Sequence, residues 1–184
     1  MKTAVTIMVA AILAISVPAS ASVIVNKAVT ESEVLAAQQN WCDALVDIST
    51  TYAESGHSCA KALAEQVIEG AYGYQMGAVL FKPTLTVNPQ TFRTTPEGAL
   101  SYFVGSNSEF PNDSGFALKG WTKCEPENAA IFISGNSAST MGKVHFTDKD
   151  GQVTTVDKTW GYVKDDAGQL RIILHHSSLE YSGE

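Results

Sequence analysis

Polar and apolar positions change rhythm once along this chain. Val34, Ala37, Trp41, Leu45, Ile48 and Tyr52 recur at steps of three or four, one face of an amphipathic helix. Thr30 and Glu33 fit a capping box at its start, and Glu54-Ser55-Gly56-His57 reads as a turn. A second helix is expected from about Ser58 to Gly70, with Leu63, Val67 and Ala71 facing inward, which completes a helical hairpin. From Gly77 the period shortens. Val79 to Thr86 reads as a first strand, demoted by Pro83 to an edge or bulged position. Thr95-Pro96-Glu97 opens a short helix carrying Ala99, Leu100, Tyr102 and Phe103. Ser106 to Gly115 is loop.

Beyond Phe116 the pattern is antiparallel strand. Strands are expected over Phe116–Lys123, Ala129–Ser134, Ala138–Thr147, Gln152–Lys164 and Gln169–Ser177. Asp148-Lys149-Asp150-Gly151 and Asp165-Asp166-Ala167-Gly168 supply hairpin loops. Helices followed by a meander predict an α+β domain in which a cone-shaped, curled antiparallel sheet packs on the N-terminal helices. A pocket is expected at the mouth of the cone.

Composition changes this picture at the N-terminus. The chain has 184 residues, 45% of them hydrophobic and 17% charged, an ordinary globular balance. Part of the apolar content lies elsewhere than in the core. No charged residue occurs between Lys2 and Lys27, and an apolar stretch from Met8 to Val17 runs into Ala19-Ser20-Ala21. That is a secretory signal peptide over residues 1–21, leaving one domain over 22–184 and a secreted or periplasmic protein. Lys2 leaves with that segment, so eleven basic and nineteen acidic residues remain, a net charge of −8. Such an acidic surface argues against nucleic acid and against anionic membranes as partners.

Cys42, Cys59 and Cys124 are three, so at least one thiol stays unpaired within a monomer. Export permits a disulfide, and Cys42–Cys59 is the first pair to consider. Geometry resists it. If the first helix runs to Glu54, Cys42 lies roughly 18 Å before the turn and Cys59 just beyond it. The bridge requires the helix to stop early, at Ser49-Thr50-Thr51.

Candidate chemistry concentrates in Leu174-His175-His176-Ser177-Ser178, at the end of the last strand. Alternation places His175 and Ser177 on one face and His176 and Ser178 on the other, so the two histidines do not readily share a metal. The chain has no HExxH, no His-x-His, no Gly-x-Ser-x-Gly and no phosphate loop. In the first strand the same alternation sets Lys82 and Thr84 together, opposite Phe81.

Several blocks together resemble the iota-class carbonic anhydrases, a branch of the nuclear-transport-factor-like, SnoaL-like cone fold related to the association domain of calcium/calmodulin-dependent kinase. They are Ala71-Tyr72-Gly73-Tyr74, Val79-Leu80-Phe81-Lys82-Pro83-Thr84, Glu97-Gly98-Ala99-Leu100-Ser101-Tyr102-Phe103, Gly115-Phe116-Ala117-Leu118 and His175-His176-Ser177-Ser178-Leu179. The likeness spans about Trp41 to Tyr181, with Glu180 where the family often has Pro. It implies reversible hydration of carbon dioxide to bicarbonate, without a metal cofactor, although zinc or manganese occurs in some members.

The resemblance also implies that Thr84, Tyr102 and Ser177 bind the anion. His175, sharing the face of Ser177, is then the expected proton acceptor, since an imidazole titrates near working pH. A homodimer is expected as well, its interface on an outer sheet face drawn from Trp121, Phe132, Phe146, Trp160 and Tyr162. Two other classes share the fold: small-molecule isomerases or cyclases, for which Asp157 is the main interior acid, and non-catalytic association modules.

Overall fold

The computed structural model describes residues 27–183. The signal peptide expected over 1–21 lies outside the described residues. Helix α1 (Glu31–Ser55) opens with the anticipated box: the Thr30 hydroxyl accepts from the Glu33 amide, and the Glu33 carboxylate accepts from the Thr30 amide. It continues unbroken through Ser49-Thr50-Thr51, and α2 (His57–Ala71) follows after the single residue Gly56.

The buried face of α2 is Ala60, Ala64 and Ile68. The expected face, Leu63, Val67 and Ala71, sits half-buried at its flank. Small side chains four residues apart let the two helix backbones approach closely, and the larger ones pack around that contact.

Strand β1 is short (Leu80–Lys82), because Pro83 ends it, and α3 covers Pro96–Val104. The meander is β2 (Trp121–Ser134), β3 (Ser137–Asp148), β4 (Val153–Lys164) and β5 (Leu170–Leu179). Sheet order is β1-β5-β4-β3-β2, antiparallel throughout except that β1 runs parallel to β5. Two expected strands are thus one. Phe116–Leu118 is a 3₁₀ turn, and β2 carries Pro126 within it, which a sheet edge tolerates. A bulge between Asn128 and Ala130 bends β2. Gly142 opposite has no room for more: a Cβ there would stand 2.0 Å from the Glu127 carbonyl oxygen. The bend curls the sheet around α1.

The disulfide joins Cys42 to Cys124, not to Cys59. Cys42 lies on the face of α1 that packs on the sheet, and Cys124 points inward from β2, with a Cα–Cα separation of 5.1 Å. Because α1 does not stop early, Cys59 is carried away on α2 and stays free and exposed.

The outer aromatic face is a second correction. Trp121, Phe146, Trp160 and Tyr162 are all core residues, and of the five only Phe132 is exposed. The sheet curls toward them, and their rings fill its concave side. Among the described residues no helix is long and apolar enough to cross a membrane.

Candidate active site

Inside the cone lies an enclosed cavity walled by Trp41, Phe81, Phe103 and Phe116, with Thr84, Tyr102, Lys158, His175 and Ser177 as its polar residues. The four expected site residues therefore come together. Larger depressions, of about 470 to 540 Å³, open elsewhere on the surface and are lined by none of these four. The cavity itself leaves about 10 Å³ to the centre of a water-sized sphere, about the room one water needs.

Different elements deliver each group. Thr84 follows β1, where Pro83 turns the chain inward. It therefore joins Phe81 on the cavity side, against the expectation that it shares a face with Lys82. Its Oγ1 stands 2.6 Å from Ser177 Oγ. Ser177 sits on β5, and its carbonyl accepts from Lys82 Nζ at 3.0 Å.

Tyr102 comes from α3. That helix is held by a buried cluster in which Asp113 receives the Arg93 guanidinium at 2.7 Å and the Ser101 hydroxyl at 2.8 Å. The Tyr102 hydroxyl is buried with no hydrogen-bond partner in bonding geometry. Burial raises its pKa well above the ordinary phenol value, only partly opposed by the nearby Thr84 hydroxyl, so it is a proton donor and not a phenolate.

His175 is fixed by two residues that the sequence placed merely in the core. Trp41 Nε1–H donates to Tyr72 Oη at 3.0 Å, and Tyr72 Oη lies 2.8 Å from His175 Nδ1. The tyrosine has one proton. With its oxygen already accepting from Trp41, the tyrosine pairs its own proton by donating to Nδ1, an arrangement that puts the imidazole proton on Nε2. Its ring stacks on Phe81, 4.4 Å between centroids, and burial lowers its pKa well below the usual imidazole value, with Lys158 adding to the effect. With Tyr72 donating to Nδ1 and the charged form disfavoured, His175 offers the cavity a donor at Nε2.

His176 and Ser178 lie on the outer face, as alternation requires, beside Asp157. Asp157 is exposed, and no carboxylate lines the cavity. Among the described residues no group of three or more His, Cys, Asp or Glu is placed to hold a metal ion.

Lys158 was not anticipated. It faces Ser177 across the β4–β5 ladder and is 4% exposed. Its Nζ lies 4.4 Å from the Trp41 ring centroid and 5.1 Å from that of Trp160. Its signal was available: Val156, Lys158 and Trp160 alternate on one strand face, so a lysine falls on the apolar side.

The model of the metal-independent carbonic anhydrase family matches residues 32–179. The chain belongs to that family. A metal-independent carbonic anhydrase from Nostoc sp. is 66% identical over 158 residues, spanning 86% of this chain and 77% of the relative. The crystal structure of a cyanobacterial iota-carbonic anhydrase, solved in complex with bicarbonate, superposes with a TM-score of 0.86 at 64% identity. That match covers 89% of this chain and all of the other. A Xanthomonas campestris protein described as a candidate calcium/calmodulin-dependent protein kinase II association domain shares the fold at TM-score 0.54 and 22% identity, again over 89% of this chain and all of its own. The protein is accordingly a carbonic anhydrase of the metal-independent kind, built on a curled sheet packed against helices.

Lys158 costs this carbonic anhydrase stability. A buried ammonium over an aromatic ring gains about 2 kcal/mol, whereas removing it from water costs several. Burial therefore pushes its pKa well below the ordinary lysine value of 10.5. Between the two values the unfolded chain binds a proton that the folded chain does not, so stability rises with pH by up to about 1.4 kcal/mol per unit. Lys158→Met should be more stable than the parent at neutral pH, on the order of 1–4 kcal/mol. The gap should close only above pH ~11 in urea titrations, where both states hold the neutral amine. An equal or lower stability of the variant at pH ~7 would show that the amine is not desolvated.

Proposed function

We propose that carbon dioxide is hydrated in this cavity, with Thr84, Tyr102 and Ser177 holding the bicarbonate oxygens. The observation that carries the reading is the convergence of three hydroxyls from three elements on one enclosed space, two of them 2.6 Å apart and the third unpaired. The relative solved with bicarbonate supports it.

Carbon dioxide is small and apolar, and the aromatic walls suit it. Its oxygens gain charge only as water adds to the carbon, so donors aimed there favour the transition state over the bound substrate. Tyr102 supplies a proton that nothing else in the structure uses. Thr84 and Ser177 supply two more by giving up their mutual hydrogen bond, which the arriving anion replaces. His175, protonated on Nε2, lines the same space as a further donor.

No step in this scheme requires a Lewis acid, in keeping with the family's description as metal-independent. Zinc or manganese would have to find ligands other than the pair His175–His176, whose side chains leave β5 on opposite faces.

Removing one such donor typically costs about 10²–10³ in rate. In stopped-flow hydration assays Tyr102→Phe should lose that much at unchanged melting temperature, because the ring that stacks on Phe116 remains. Ser177→Ala and Thr84→Val should fall similarly. In the same assay, chelator-treated wild-type protein should keep its rate. A folded Tyr102→Phe protein with wild-type turnover would remove Tyr102 from the site, and loss of rate on chelation with recovery on added zinc or manganese would overturn metal independence.

We also propose export, on the apolar stretch ending at Ala19-Ser20-Ala21 and on the Cys42–Cys124 bridge, which an oxidising compartment sustains. Expressed with its full leader in a bacterial host, the protein should reach the periplasm, begin at Ser22 on N-terminal sequencing, and present one titratable thiol after denaturation, that of Cys59. Retention of residues 1–21 in the cytoplasmic fraction would count against it.

A homodimer is the remaining proposal. Its support is narrower than the aromatic count suggested and rests on Leu80, Phe132 and Met141, large apolar side chains left exposed on the sheet. Light scattering at micromolar concentration should give twice the chain mass; a monomer there would end the proposal.

A further inference from the structure

With His175 committed as a donor and Tyr102 held as a neutral phenol, hydration in this cavity still needs a group to take the proton of the attacking water. We propose that Lys158 is that group, accepting the proton on the lone pair of Nζ. The inference rests on the assignment of the cavity as the hydration site.

Placement carries it. Lys158 is opposite Ser177 in the β4–β5 register, lines the same cavity as the three hydroxyls, and is buried. Every ion pair found among the described residues engages other lysines, arginines or histidines, and none involves Lys158. Its surroundings are the rings of Trp41, Trp160 and Phe146, the last 6.0 Å away. A lysine so placed has a reason to be uncharged, and an uncharged amine is a base. Burial lowers its pKa, which moves the amine toward the value a general base needs near neutrality.

The step balances. The water oxygen forms a bond to the carbon of carbon dioxide, one C=O π pair moves onto oxygen, and one water proton passes to Nζ. The products are bicarbonate and the Lys158 ammonium. Reactants and products are each neutral overall, so no net charge is created in this poorly solvated cavity, and the new ion pair attracts across a short distance. After bicarbonate leaves, the ammonium gives its proton to water or buffer and the amine is restored.

The titratable and charged groups around Lys158 are few. Tyr102 and His175 share its cavity. Asp157 and His176 lie on the outer face of the sheet, and Lys82 lies at its edge on β1. Trp41 from α1 and Phe146 from β3 contribute none.

The test measures carbon dioxide hydration by Lys158→Met and Lys158→Arg, beside Tyr102→Phe, with bicarbonate binding followed by ¹³C NMR. Both lysine variants should lose about 10²–10⁴-fold in rate, the usual contribution of a general base, while bicarbonate still binds and the fold persists. Small primary amines should restore part of the Lys158→Met rate. A wild-type rate in either lysine variant overturns the proposal; in Lys158→Arg it would assign the residue to fixed charge, since arginine cannot serve as a base.

A Tyr102→Phe protein that is impaired while Lys158→Met is not would defeat this inference alone. The reverse result would defeat the assignment of the cavity donors. Should the lysine variants fail to fold, the wild-type protein decides: its kcat/KM should rise with pH through one group whose pKa shifts with temperature as steeply as an amine's. The shallower dependence of an imidazole or carboxyl would overturn the proposal.

Discussion

One proton on Tyr72 organises the interior of this protein. The phenol terminates the helical hairpin at the end of α2, accepts from Trp41 on α1, and has only His175 on β5 left to receive its own hydrogen. Three elements distant in the chain are thereby fixed against each other by a chain of two hydrogen bonds in a region closed to water. Leaving any one of these groups unpaired would cost about 1–3 kcal/mol. The consequences reach the proposed chemistry. With His175 held, Ser177 two residues on is set toward Thr84. With Tyr72 donating to Nδ1, the imidazole proton sits on Nε2.

The same dryness that makes those bonds strong makes the neighbouring lysine expensive. A chain selected for stability alone would place an apolar side chain at position 158, facing Trp41. The fold tolerates the cost because it is cross-linked nearby: Cys42, beside Trp41 on α1, is joined to Cys124 on β2. A disulfide closing a long loop stabilises by about 2–4 kcal/mol. On the opposite wall, the buried Arg93–Asp113 pair and Ser101 tie α3 to the two loops flanking it, so the Tyr102 hydroxyl is held without a hydrogen bond of its own. Sites of this kind exchange stability for preorganised, poorly solvated polar groups. In a carbonic anhydrase without a metal, that exchange is where the catalytic advantage has to arise, because no bound cation lowers the pKa of water.

Local rules made much of the fold legible. The Thr30–Glu33 box, Thr95 with Pro96, and the two Asp-initiated hairpins each act over four or five residues, and each forms as its residues imply. Alternation along β5 separated His175 and Ser177 from His176 and Ser178, since the pleat leaves a strand residue no other choice. The blocks shared with a known family pointed to Thr84, Tyr102 and Ser177, alternation along β5 added His175, and the structure gathers all four around one cavity. Those are statements about short stretches, or about likeness to chains already understood.

What the sequence left open depends on which segments meet. The cysteine pairing follows from α1 continuing past Ser49 and from the rotation of β2 toward it. The inward turn of Trp121, Phe146, Trp160 and Tyr162 follows from the direction in which the sheet curls, set by the bulge at Asn128–Ala130 against Gly142. The hydrogen-bond partner of His175 is Tyr72, 103 residues away, which no strand pattern announces. Alternation puts Lys158 on the face of Val156 and Trp160, but only the packing of α1 over that face cuts its amine off from water. Periodicity determines which side of an element a residue occupies. Only the packed structure determines what lies against that side, and desolvation, which sets the charge of a lysine or the donor state of a histidine, belongs to the packing.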